Sequence, residues 1–208
     1  ESLPNIINPF LSIALIIVST SAYFLRHYRR KLLCAYALIM IVVLLVDQLK
    51  WQPWVYYYSF ILMSFLFIQD HKTKDRIRLI QLILAFIYVW SGIQKLNHNF
   101  FFVTYPWIIE PLTNLLSEDI GELFNHTFFI APLVEFFAGL GLFFRKTRRY
   151  SAIILILMHG FSLSIIGPLG PISNSVVWPW TIAFSILLFL LFIQRNIASE
   201  SSLITTRV

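Results

Sequence analysis

The chain has 208 residues, of which 58% are hydrophobic, 17% aromatic and only 12% charged, with a formal net charge of +6. Soluble domains are about 45–50% apolar and about 25% charged, so this composition excludes an ordinary soluble enzyme and points to a polytopic membrane protein. The single cysteine, Cys34, excludes an internal disulfide and a thiolate metal cluster, and it reads as a small packing residue.

Seven apolar spans follow one another along the chain, at 9–25, 31–46, 53–69, 77–96, 127–144, 150–166 and 177–194. Each approaches the roughly 20 residues that a helix needs to cross the hydrocarbon core. No basic segment precedes the first run, which is therefore read as a span and not as a signal peptide. The second and third spans are short, and a pair of half-inserted helices is the competing arrangement there. Continuous apolar runs, where a barrel would alternate, exclude a β-barrel. The expected fold is an all-α transmembrane helical bundle forming a single domain over 1–208, with no internal repeat.

Charge gives the topology. If the spans alternate direction, one face receives Arg26, Arg29, Arg30, Lys31, Lys72, Lys74, Arg76, Arg78, Arg145, Lys146, Arg148, Arg149, Arg195 and Arg207. The other receives only Lys50 and Lys95, together with Glu1, Asp47, Glu110, Glu118, Asp119 and Glu122. The positive-inside rule makes the first face cytoplasmic and places the N-terminus outside. The basic balance thus reports topology, and no nucleic-acid partner is expected.

Trp51, Trp54, Trp107, Trp178 and Trp180 all fall at predicted outer ends, as an interfacial belt requires. In the long outer segment, Ile108, Leu112, Leu115, Leu116, Ile120 and Leu123 recur at helical spacing, with Glu110, Asn114, Glu118 and Glu122 opposite them. The spacing predicts an amphipathic surface helix over 108–123, lying as a lid on the outer ends of the bundle.

Ionisable groups inside spans are costly and mark function by default. Three remain once the loops are set aside: Lys95, Glu135 and His159. Gln81, Tyr88, Ser91 and Lys95 are spaced 7, 3 and 4 apart and so share one face of the fourth span, which should look into the bundle. Glu135 stands eight residues into the fifth span, about 12 Å deep at helical rise. Ala138, Gly139 and Gly141 follow it and permit a close helix approach. His159, in "ILMHGFS", lies about 10 Å below the outer end of the sixth span. No second His or Cys stands at ligand spacing, so no metal site is expected. Snorkelling of Lys95, a protonated Glu135 and a packed His159 are the structural alternatives. All three nevertheless lie in the outer half of their spans, so one outward-facing polar pocket with Lys95 at its rim is expected, with Asp47, Gln48 and Asn174 able to join from adjacent outer ends.

The stretches "YVWSGIQKLN" (88–97), "PLVEFFAGLGLFFRKTRR" (132–149), "MHGFSLSIIGPLG" (158–170) and "NSVVWPW" (174–180) resemble the membrane domain of vitamin K-dependent gamma-carboxylases and their bacterial HTTM relatives. The wider DoxX-like membrane proteins are similar too. The resemblance covers about residues 80–190, and its sharpest element is the small-residue turn followed by Lys-Leu. It implies that Lys95 is the base that starts chemistry on a reduced quinone at the outer face.

The expected function is an integral membrane protein whose outward-facing pocket takes a lipophilic, quinone-like ligand, acting as a small carboxylase-like or quinone-linked enzyme. Lys95, Glu135 and His159 would be catalytic, as base or anion partner, proton acceptor and proton shuttle. Tyr88, Ser91, Asn174, Trp178 and Trp180 would line the ligand. Quinone or lipid is the expected ligand, membrane lipid and other membrane subunits the expected partners, and the bacterial cytoplasmic membrane the expected location. The alternative is a non-catalytic accessory subunit of a larger respiratory or secretion complex. A transporter ranks last, because no inverted repeat is visible and no polar path continues inward.

Overall fold

The computed structural model of the protein describes residues 7–46, 53–68, 72–125, 127–172 and 174–194. Among them every element is helical: α1 (Ile7–Phe24), α2 (Arg29–Val46), α3 (Pro53–Phe67), α4 (Thr73–Gln94), α5 (Tyr105–Thr113), α6 (Glu118–Asn125), α7 (Ile130–Gly141), α8 (Arg148–Ile166) and α9 (Val177–Leu188). A 3-10 turn at Arg26–Tyr28 joins α1 to α2, and π-helical turns occupy Phe100–Thr104 and Phe189–Ile193. α4 and α8 are long and apolar enough to cross a membrane. The apolar stretches Phe10–Phe24, Val55–Phe67, Ile130–Gly141 and Val177–Ile193 are shorter than that measure.

Three elements differ from the sequence pattern. The surface helix expected over 108–123 is two helices, α5 and α6, separated by a turn after Thr113. Pro111, inside α5, lacks an amide proton and weakens the ladder just before the break. The backbone bonds Leu115 N to Leu112 O (3.1 Å) and Leu116 N to Thr113 O (3.1 Å) then tighten the chain into a turn. The span expected over 127–144 is helical only to Gly141, where the Thr147 hydroxyl donates to the Gly141 carbonyl at 2.7 Å and closes the end. The span expected over 177–194 widens into a π turn after Leu188, with Gln194 N donating to Phe189 O at 3.0 Å.

The chain forms two compact units, Glu1–Arg76 and Ile77–Val208. In the first, α1 and α2 pack as a helical hairpin and α3 packs on α2. Ala22, Val43, Leu44, Val55 and Ser64 are buried there. Arg76 is buried as well: its Nη2 donates to Ile68 O at 2.7 Å and its guanidinium lies 4.8 Å from the centre of the Phe65 ring. A cation placed there satisfies a carbonyl at the C-terminal end of α3, where the helix dipole favours positive charge.

In the second unit α8 is central, packing against α5, α7 and α9. Leu84, Ala85, Ile109, Leu142, Ala152, Leu155, Phe184 and Leu188 are almost fully buried. The helices carry apolar rows on their exposed faces: Phe86, Trp90 and Ile93 on α4, and Tyr150, Ile154, Leu157 and Phe161 on α8. Gln81, Glu135 and His159 are buried instead. Apolar outside and ionisable inside is the reverse of a water-soluble arrangement. Cys34, expected as a packing residue, is exposed on α2.

Candidate functional site

Along α4 the polar stripe grades from the core outward. Gln81 is fully buried and Tyr88 is buried, Ser91 is half-buried, and the Lys95 side chain keeps 35% of its surface exposed. The helical repeat puts these four on one face with Leu84 and Ala85, opposite the exposed Phe86 and Trp90.

Two glycines let α7 approach that face. A Cβ on Gly92 would stand 2.7 Å from the backbone nitrogen of Phe136, and one on Gly139 would stand 2.6 Å from the backbone nitrogen of Val89. Both positions therefore accept only glycine at this crossing. Glu135 lies one turn before Gly139 and next to Phe136, so the contact that Gly92 permits carries Glu135 to Lys95. The Lys95 ammonium donates to Glu135 Oε2, forming an ion pair. Its members are unlike: the carboxylate side chain is only 7% exposed, whereas the lysine reaches the surface.

About two turns deeper along α4, a second pair links α4 to α8. The Tyr88 hydroxyl and His159 Nε2 lie 2.7 Å apart, so one proton is held between a phenol and an imidazole. Both side chains are buried. Trp180 of α9 meets the His159 ring edge-on at 6.5 Å, and Phe184 packs edge-on against both Tyr88 and Trp180, at 6.3 and 5.8 Å. This aromatic wall holds the imidazole and keeps the pair dry. At the far end of the stripe, Gln81 Nε2 donates to Leu191 O at 2.6 Å, inside the π turn that follows α9, while its Oε1 is buried without a hydrogen-bond partner among the described residues.

Lys95, Glu135, Tyr88, His159 and Trp180 are thus brought into one constellation. Ser91 borders it, one turn before Lys95, whose amide donates to Ser91 O at 3.2 Å. Asn174 does other work. Its Oδ1 accepts from the amides of Val176 (3.1 Å) and Val177 (3.2 Å) and so starts α9. Trp178 is half-buried near that start and, among the described residues, has no ring contact with the constellation. Asp47 and Gln48 lie outside the described residues. Phe184 is the member that sequence reasoning missed, since one phenylalanine among 20 carries no distinguishing signal. Its place four residues after Trp180, on the same helical face, was the available clue.

Among the described residues no three His, Cys, Asp or Glu side chains converge as a metal-binding group. Chemically the site offers a half-exposed amine, a buried carboxylate that can exchange a proton with it, and a buried phenol–imidazole pair. Compared with known protein families, curated proteins and solved structures, the chain matches none.

Proposed function

We propose that this is a seven-span protein of a bacterial cytoplasmic membrane, N-terminus outside, whose outward-facing polar site binds a lipophilic, quinone-like ligand and performs proton-transfer chemistry on it. α1, α2, α3, α4, α7, α8 and α9 with its π turn are the spans, and α5 and α6 lie between the fourth and fifth on the outer side. The exposed apolar rows around a buried ionisable set support that placement, as does the one-sided distribution of basic residues.

The observation that carries the function is the Lys95–Glu135 pair, exposed at the amine and buried at the carboxylate. Transfer of a lysine proton to Glu135 leaves a neutral amine at the rim, a base able to accept a proton from an acidic ligand hydroxyl. The Tyr88–His159 pair, behind an aromatic wall, would receive or return that proton. Resemblance to the HTTM and DoxX-like membrane proteins implies the role of base for Lys95 alone.

The four groups also satisfy one another, and that favours a second reading: a structural polar core in an accessory subunit of a larger membrane complex. Binding measurements separate the two. Purified protein in nanodiscs, titrated with reduced menaquinone-type and ubiquinone-type compounds, should bind one of them saturably, and Lys95→Met should abolish binding while the helical content is retained. Saturable binding unchanged in Lys95→Met, or no binding with large subunits co-purifying, would give the second reading.

A further inference from the structure

A second cavity lies wholly within the first unit, far along the sequence from the constellation on α4, α7, α8 and α9. Its volume is about 430 Å³, against about 480 Å³ for the α7–α8 groove at the surface of the second unit. Small-molecule sites measure about 300–1,000 Å³, so it is large enough to hold a ligand. Its walls come from the end of α1 (Ser19, Ala22, Tyr23), the start of α2 (Arg29, Leu33, Tyr36) and the second half of α3 (Tyr58, Ile61, Leu62, Phe65). The chain runs to one end of all three helices there, the end that carries Arg26, Arg29, Arg30 and Lys31.

The lining is sorted by chemistry. Ala22 is buried and forms a floor without a large side chain, and Leu33, Ile61, Leu62 and Phe65 supply apolar walls. Arg29, half-buried in the first turn of α2, is, among the described residues, the one formal charge on the wall, and no described carboxylate lines the cavity with it. Tyr36 of α2 and Tyr58 of α3 line the deeper part of the cavity, Tyr36 about two helical turns from Arg29. Tyr23 is 72% exposed and stands at the mouth. An apolar ligand alone would leave the guanidinium uncompensated, and a small polar anion would leave the leucine, isoleucine and phenylalanine walls unfilled.

We propose that this cavity is a binding site for an anionic amphiphile, its carboxylate or phosphate held by Arg29 and its hydrocarbon chain lying over Ala22 among Leu33, Leu62 and Phe65. A guanidinium presents paired donors to either anion, which explains an arginine at this place. The free fatty acid and the anionic phospholipid of the basic-side leaflet share this chemistry. The site stands on the geometry of α1–α3 and is independent of the reaction assigned to Lys95.

Native mass spectrometry of the full chain released from detergent, titrated with palmitate, hexadecanol, phosphatidylglycerol and phosphatidylcholine, tests it. Palmitate or phosphatidylglycerol should bind saturably, and Arg29→Gln should weaken that binding about tenfold or more, the loss expected for a charged hydrogen bond. Hexadecanol should bind wild type and Arg29→Gln alike, and Leu33→Trp, which fills the cavity, should remove every probe. Phosphatidylglycerol binding without palmitate binding identifies the bilayer as the source; the converse identifies a free fatty acid. Arg29→Lys retains the charge without the paired donors and should lose less affinity than Arg29→Gln, which separates loss of the head contact from loss of the fold. Anionic probes bound equally by wild type, Arg29→Gln and Leu33→Trp, or bound by none of them, would overturn the proposal, as would phosphatidylcholine binding as tightly as phosphatidylglycerol.

Discussion

Replacing Lys95 by Met leaves Glu135 in place, 7% exposed at its side chain, without its cation. Breaking a fully buried ion pair by removing one partner costs about 3–5 kcal/mol. Two features of this site reduce that figure. Lys95 keeps 35% of its side chain exposed, so water already screens the pair. An isolated carboxylate also relieves itself by taking up a proton. The expected cost of Lys95→Met is therefore about 2–3 kcal/mol. For a chain of this size that is a fall of about 5–10 °C in the apparent thermal midpoint, read at one fixed scan rate. Glu135→Gln should cost less, about 1 kcal/mol, because the freed ammonium can turn toward water and the amide still accepts a hydrogen bond. The double variant should be no less stable than Lys95→Met alone. Additivity of the two single losses to within about 0.5 kcal/mol would refute the pairing, since coupled partners depart from additivity by more than that.

Gly139→Val would set a Cβ 2.6 Å from the Val89 nitrogen and push α7 off α4. It should cost about 1–3 kcal/mol as an overpacked contact and also remove the non-additivity between Lys95 and Glu135. An unshifted thermal midpoint would contradict the close crossing. Tyr88→Phe leaves the buried His159 without its partner and should destabilise by about 1–3 kcal/mol, whereas Tyr88→Phe combined with His159→Phe should recover part of the loss. Equal and additive losses would show that the 2.7 Å contact carries nothing. On a Cys34→Ser background, cysteines introduced at 72–75 and 146–148 should react with an impermeant maleimide only in permeabilised cells. Reaction in intact cells would reverse the topology.

The helical class and the positions of most helices were legible because long apolar helices write themselves into sequence as continuous apolar runs ended by charge. Where a helix ends or changes pitch was not. The stop at Gly141 depends on a hydroxyl six residues away, on Thr147, and the π turn at Phe189–Ile193 has no marker in "FLLFI". The break within 108–123 was hinted at by Pro111, but the apolar periodicity ran on through it and outweighed it. At the site, depth arithmetic alone suggested that Lys95, Glu135 and His159 lie in the outer half of their spans, and glycines near Glu135 suggested a close neighbour. The pairing of Tyr88 with His159 was not legible, because spacing within one helix places a residue on a face without naming its partner across the interface. Asn174 shows the opposite limit. Its residue type suits a ligand contact and a helix start equally, and backbone amides of α9 take its oxygen.

The central claim is that Lys95 and its carboxylate serve a lipophilic ligand beyond holding helices together. Mass spectrometry of organic extracts from the purified protein tests it most directly, comparing wild type with Lys95→Met at equal helical content. A quinone-like compound recovered at near-stoichiometric yield from wild type and depleted in Lys95→Met is the predicted result. Extracts that contain only bulk phospholipid, or the same compound in equal amount from both proteins, would contradict it.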